Sequence, residues 1–222
     1  TIARCESGGL VVTGPIRWAS NVFDDALIVL PVREESGRSY VAVLDSSTPG
    51  VRINPPPALL GLGCTASTSL QLDEVRIDDA DIISTDLVDF VRGVRPVFLL
   101  LQSAFCTGAG RAALDASESA LTGINEVFAD ELADLRSDHR SVRTRLYDFS
   151  ADPAAQGPAD LIRLRLDAAQ VAVRAARLEA TLRGGAGYAT GSASNRRFRE
   201  IAFLPIQSPS EGQLRWELAQ YE

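Results

Sequence analysis

Seven apolar residues, Leu161, Leu164, Ala168, Val171, Ala175, Leu178 and Leu182, recur at alternating intervals of three and four. A strand cannot use that spacing, because its side chains change face at every residue, whereas a helix lays all of them along one side. The spacing predicts a helix over 158–183 with one buried face. Two further stretches share the period. One can be capped by Thr85 or Asp86 and runs past Pro96 to about Leu121. The next, punctuated by Gly123, carries Ile124, Phe128, Leu132, Leu135, Val142, Leu146 and Phe149. A linker, Ala151 to Pro158, holds two prolines and a glycine. Long helices with apolar stripes and short connections predict an antiparallel bundle.

Ahead of Asp81 the pattern is different. Gly9–Thr13 reads as a strand up to Gly14-Pro15, with Trp18-Ala19-Ser20-Asn21 at the close of a longer strand from Gly9. Ala26–Leu30, Tyr40–Leu44 and Thr68–Val75 are short β-branched or alternating segments set between Gly, Pro and Ser turns. Pro55-Pro56-Pro57 marks a loop, since each proline removes a ladder donor. The predicted class is α+β: a small antiparallel β-sheet or barrel over 1–84, then a helical bundle over 85–222.

Every one of the 22 basic residues is arginine, and the formal charge is −7. That balance speaks against nucleic acid, where clustered positive charge is needed, and leaves arginine for local phosphate contacts. Val97–Leu101 is the most apolar run and falls far short of the ~20 residues of a bilayer span. Cys5, Cys64 and Cys106 are widely spaced, odd in number and without metal-site spacing, so free buried thiols in a reducing, cytoplasmic setting are expected. A start at Thr1 without methionine reads as a processed or partial chain.

Behind the long helix stands Arg183-Gly184-Gly185-Ala186-Gly187-Tyr188, followed by Arg196-Arg197-Phe198-Arg199 and by Leu204-Pro205-Ile206-Gln207-Ser208. Glycines let a backbone approach a ligand closely, although a glycine turn also ends helices for structural reasons alone. Trp18 and Ser20 offer an apolar indole beside a hydroxyl, a pairing equally at home at a sheet edge. Taken in order with Arg95-Pro96 and the polar loop 61–69, these segments resemble the acyl-CoA dehydrogenase family of flavoproteins, over about residues 8–218.

The resemblance implies FAD as cofactor, with Trp18 and Ser20 against the flavin ring, Phe128 in the flavin-phosphate region, and Gly184, Gly185 and Gly187 serving the cofactor of a neighbouring subunit. It implies an acyl-CoA-like small molecule as substrate, with Arg95 and Tyr188 on that side, and a homo- or hetero-oligomer. It also implies a helical domain and the first half of the β-domain, including a Thr-Glu-x-x-x-Gly-Ser flavin segment, ahead of Thr1. Two departures matter. The family's Arg-x-x-Phe-Gly pattern survives here only as Phe128, without its arginine. The position of the family's catalytic glutamate holds Ser208, and the alternative position before Arg95 holds Val94; neither can take a carbon-bound proton. Glu211 is the nearest carboxylate and also reads as a first-turn helix acid. A monooxygenase-like relative, which removes no α-proton, and a non-catalytic subunit of a heteromeric flavoprotein are the alternatives. His139, the single histidine, falls on an apolar stripe and reads as packed, and the acidic pairs Asp24-Asp25, Asp73-Glu74 and Asp78-Asp79 read as solvated.

Overall fold

A computed structural model describes residues 1–221, in two compact units: Thr1–Gly93 and the remainder from Val94. The first is a seven-stranded sheet of β1 (Ile2–Glu6), β2 (Gly9–Ala19), β3 (Leu27–Glu34), β4 (Ser39–Asp45), β5 (Val51–Ile53), β6 (Thr68–Asp78) and β7 (Ile82–Ser84), in the order β5-β6-β2-β1-β3-β4-β7. Its pairs are antiparallel except β1 with β3, which run parallel through Ile2–Arg33 and Ala3–Glu34. The sheet is therefore mixed rather than purely antiparallel. Sequence spacing could not show this, because the parallel neighbour of β1 lies beyond the intervening β2.

A bulge explains why alternation along β6 stops being readable at Val75. Val12 pairs with Val75 and Gly14 with Leu72, so the single residue Thr13 faces both Asp73 and Glu74. The extra residue flips the face: Leu70 and Leu72 are buried before it, Val75 and Ile77 after it. Glu74 accommodates the insertion at φ 47°.

The second unit packs α1 (Leu87–Glu118, entering the unit at Val94), α2 (Ala129–Ala151) and α3 (Pro158–Tyr188), followed by the short α4 (Ala193–Ile201) and α5 (Glu211–Leu218). Asp86 caps α1, its carboxylate accepting from the Asp89 N–H at 3.0 Å. Cross-helix contacts fix the directions. Thr107 meets His139 and Glu118 meets Arg136, so α1 and α2 are antiparallel. Arg145 meets Asp167 and Asp138 meets Arg174, so α2 and α3 are too. All seven residues of the three-four stripe on α3 are buried. Gly110 lets α1 approach α3: a Cβ there would stand 3.2 Å from the Ala172 Cα.

Three expectations need correction. Ile124 is 91% exposed, because Gly123, at φ 58°, opens a 3-10 turn over Gly123–Phe128 and α2 starts only at Ala129. Ile124 is therefore out of register with the helix stripe. Cys5 and Cys64 are exposed and only Cys106 is buried; all three are free. By length and composition α1 is long and apolar enough to cross a membrane, although no uninterrupted run is; half of that stretch is buried among its neighbours.

Candidate functional site

In the first unit, the end of β2 and the start of β3 border a cleft of about 520 Å³, lined among others by Ile16, Trp18, Ser20, Leu27 and Val29. Trp18 is 67% exposed, an unusual place for an indole that has no covering partner in this unit. The Ser20 hydroxyl lies 2.7 Å from Ser67, and Ser67 lies 2.7 Å from Thr65, which donates to the Leu62 carbonyl at 2.8 Å. With the Thr65 proton spent on that carbonyl, the chain is satisfied when Ser67 donates to Thr65 and Ser20 donates to Ser67. Ser20 then presents lone pairs to the cleft, where the family resemblance leads one to expect a donor.

The backbone around this hydroxyl chain is strained. Asn21, Leu62 and Ala66 all sit in the left-handed region, at φ 62°, 60° and 44°. Asparagine tolerates that conformation, but leucine and alanine pay about 1–2 kcal/mol each. The Asn21 and Val22 N–H groups bond the Thr65 and Ala66 carbonyls at 2.7 and 3.3 Å and hold the two loops together. Strain of this kind gathers at functional sites.

In the second unit, the glycine motif is a break within α3. Gly184 takes φ 55° and ψ −143°, and the chain resumes helical geometry through Tyr188. Open space surrounds Gly184 and Gly185, whereas a Cβ on Gly187 would stand 2.5 Å from the Arg183 Cβ. Glycine is required at 184 by conformation and at 187 by packing. Tyr188 is exposed, and its carbonyl accepts from the Asn195 side chain at 3.0 Å. The arginines beyond are already engaged. Arg197 pairs with the fully buried Glu179, which also accepts from Ser194 at 2.5 Å; this hydrogen bonding raises the Arg197 pKa against the cost of burial. Arg199 bonds Asn195 and the Thr190 carbonyl. The segment is thus chiefly a staple of α4 onto α3.

Ser208 is exposed, on the irregular stretch between α4 and α5. Its carbonyl accepts from the Gln102 side chain at 2.8 Å. Gln102 in turn accepts from Arg165 Nε at 3.2 Å, and Arg165 Nη2 donates to the Leu204 carbonyl at 2.8 Å. Arg165 is buried and its hydrogen-bond partners are all neutral. A desolvated guanidinium needs acceptors, and the 204–208 backbone supplies them, so Gln102 and Arg165 clamp the segment that carries Ser208. Sequence reading missed both. The available signal was a charge at 165, four residues after Leu161 and three before Ala168, on the edge of an otherwise apolar stripe.

Glu211 opens α5 behind the Ser210 cap, and its carboxylate pairs with Arg215 at 2.7 Å. Arg95 forms an ion pair with Glu217. Phe128 packs against the bundle core. His139, buried, lies 2.9 Å from the Thr107 carbonyl, as a packed histidine should. Burial pushes the Cys106 thiol up to about 11, against a lowering by the Arg165 charge. No group of three or more potential metal ligands occurs among the described residues.

Compared with protein-family models and with curated protein sequences, the chain matches none. Solved structures do match. An acyl-CoA dehydrogenase from Geobacillus kaustophilus superposes with TM-score 0.90 at 15% identity, covering 99% of this chain and 63% of that one. A glutaryl-CoA dehydrogenase from Mycobacterium smegmatis in complex with FADH2 gives 0.88 at 16%, covering 100% and 60%. FkbI, for biosynthesis of the methoxymalonyl extender unit of the Fk520 polyketide, gives 0.83 at 23%, covering 99% and 64%. The chain thus spans less than two thirds of the length of these proteins, and over that length it has the acyl-CoA dehydrogenase fold.

Proposed function

We propose that this chain is part of an FAD-dependent oxidoreductase of the acyl-CoA dehydrogenase kind, with 1–84 as part of its β-domain and 85–222 as its helical domain. The observation that supports this best is the coincidence of fold with an exposed Trp18 at the end of β2 and an obligate glycine break at Gly184. Trp18 would cover the apolar face of the flavin and Ser20 would meet its polar rim. Gly184 and Gly185 would admit the adenosine-diphosphate half of a cofactor bound mainly by a neighbouring subunit, with Gly187 keeping the helix compact beneath them. Phe128 would brace the turn ahead of α2 from the interior. When bound, FAD accepts two electrons from an organic substrate.

The substrate in this reading is an acyl-CoA or similar thioester. Arg95 and Tyr188 would serve it, Arg95 by exchanging part of its pairing with Glu217 for a phosphate, to which a guanidinium is well matched. Among the described residues no activating base lies within hydrogen-bond reach of Ser208, and Glu211 is engaged with Arg215. The departure at Ser208 favours a second reading, a monooxygenase-like relative that removes no α-proton. A non-catalytic subunit of a heteromeric complex is the third. Anaerobic mixing of the flavin-loaded protein with a panel of acyl-CoAs separates the first reading from the others. Bleaching of the visible flavin band supports dehydrogenation; a band that every thioester leaves intact removes it.

A further inference from the structure

The hydroxyl chain that ends at Ser20 has its direction set from its far end. The Leu62 carbonyl accepts from the Thr65 N–H at 3.0 Å and from the Thr65 hydroxyl at 2.8 Å. A carbonyl oxygen cannot donate, so the hydroxyl proton of Thr65 lies on that contact. Each oxygen pair further along, Thr65 with Ser67 and Ser67 with Ser20, is 2.7 Å apart and repels unless one proton lies between. With the Thr65 proton already used, that proton comes each time from the member nearer the cleft. One backbone carbonyl thus orients all the hydroxyls in a single direction, and bonds aligned in this way polarise one another.

The backbone holds this arrangement in place. Leu62 and Ala66, on either side of the chain's anchor, take φ 60° and 44°, and the Asn21 N–H donates to the Thr65 carbonyl at 2.7 Å. Among the described residues the Ser20 hydroxyl has no hydrogen bond besides the one to Ser67. Both of its lone pairs are left to the cleft, which it lines together with Trp18.

We propose that Ser20 is a fixed acceptor, and that the cleft thereby selects a heteroaromatic ligand by its hydrogen content. A ring nitrogen that carries hydrogen is bound in preference to one that carries a lone pair. The identity of the ligand rests on the flavin reading given above. Two-electron reduction of a flavin adds hydrogen at the ring nitrogen N5 and turns an acceptor into a donor. The exposed Trp18 indole offers the ring an apolar face that is indifferent to this change. Ser20 is then the residue that distinguishes the two redox states, and Ser67, Thr65 and the Leu62 carbonyl are what position its proton. Opposite Ser20, an oxidised ring sets lone pair against lone pair, whereas a reduced ring makes a hydrogen bond. Tighter binding of the reduced form raises the reduction potential of the bound flavin, by about 30 mV for each tenfold of preference.

The test is anaerobic titration of the chain with FAD and with dithionite-reduced FAD, followed by tryptophan fluorescence. The ratio of the two dissociation constants is compared in the parent, Ser67→Ala, Thr65→Val and Thr65→Ser. Ser67→Ala removes the acceptor of the Ser20 proton, and Thr65→Val removes the anchor of the chain; either change frees that proton to face the cleft. Thr65→Ser keeps the anchor. The expected result is a parent that favours reduced FAD, with the preference falling about threefold to tenfold in Ser67→Ala and Thr65→Val, the worth of one hydrogen bond, and retained in Thr65→Ser. A merely structural part for these hydroxyls would weaken both forms alike and leave the ratio where it was. An unchanged ratio in Ser67→Ala and Thr65→Val therefore overturns the proposal, as does a Thr65→Ser protein that shifts as far as Thr65→Val. A parent that binds both forms equally well overturns it while leaving the flavin reading intact. A parent that binds neither form overturns the flavin reading, and this proposal with it.

Discussion

Glu34 shows what a single carboxylate does for the sheet. It is buried at the end of β3 and accepts from the Cys5 thiol, from Ser36 at 2.5 Å, from Arg38 at 2.8 Å and from Tyr40 at 3.2 Å. These bonds, that from Cys5 foremost, hold its pKa down to about 2 against an ordinary 4.5, while the Cys5 contact and burial push Tyr40 up to about 12. A carboxylate with a depressed folded pKa stabilises the fold above its unfolded pKa and ceases to do so as pH falls through the folded value. The Tm is therefore expected to fall between pH 4.5 and 2, and the Glu34→Gln protein to lose much of that dependence while being less stable at neutral pH; melts across that range check both. The other residue-scale expectation concerns chemistry. Ser208 is exposed and its hydroxyl has no base beside it, so replacement by glutamate places a carboxylate where the resemblance puts one. Ser208→Glu should bleach the flavin with acyl-CoA measurably faster than the parent, and a variant no faster than the parent with intact FAD binding would contradict the assignment of that position.

The long helices were legible from the sequence because tertiary packing acts on them through one period. The stripe Leu161–Leu182 is buried residue for residue, since α3 has neighbours along its whole length. Leu164 and Leu178 are fully enclosed, and truncating either to alanine should cost about 2–5 kcal/mol, read as a shift of the denaturant midpoint. The strands were less legible where pairing departs from simple alternation: the bulge at Asp73-Glu74, and three strands of five residues or fewer at Ile2–Glu6, Val51–Ile53 and Ile82–Ser84. Of the candidate site, the glycine motif was readable because glycine is demanded by backbone conformation, which sequence displays. The clamp of Gln102 and Arg165 was not, because it joins residues 63 positions apart. Position 184 can be tested against 185. At φ 55° and ψ −143°, Gly184→Ala is strained by ~1–3 kcal/mol even in open space. Gly185→Ala meets nothing and has an ordinary φ, so its melt should stay within about 1 kcal/mol of the parent.

At the scale of the molecule, two units with separate cores divide the work that the proposed function requires. The sheet contributes an exposed indole and a strained hydroxyl loop; the bundle contributes a glycine break and a clamped segment carrying Ser208. Each feature taken alone has a structural explanation, and the fold is what joins them into one reading. That reading makes FAD the decisive ligand. The measurement that tests it most directly is titration of the purified chain with FAD, following quenching of tryptophan fluorescence and retention of the visible flavin band through gel filtration, alongside Trp18→Phe and Gly184→Ala. The account predicts saturable binding, with the Trp18→Phe protein losing most of the quenching and the Gly184→Ala protein binding more weakly. Contradiction would come from a chain that melts cooperatively yet neither quenches nor retains FAD, or from binding that both substitutions leave unchanged.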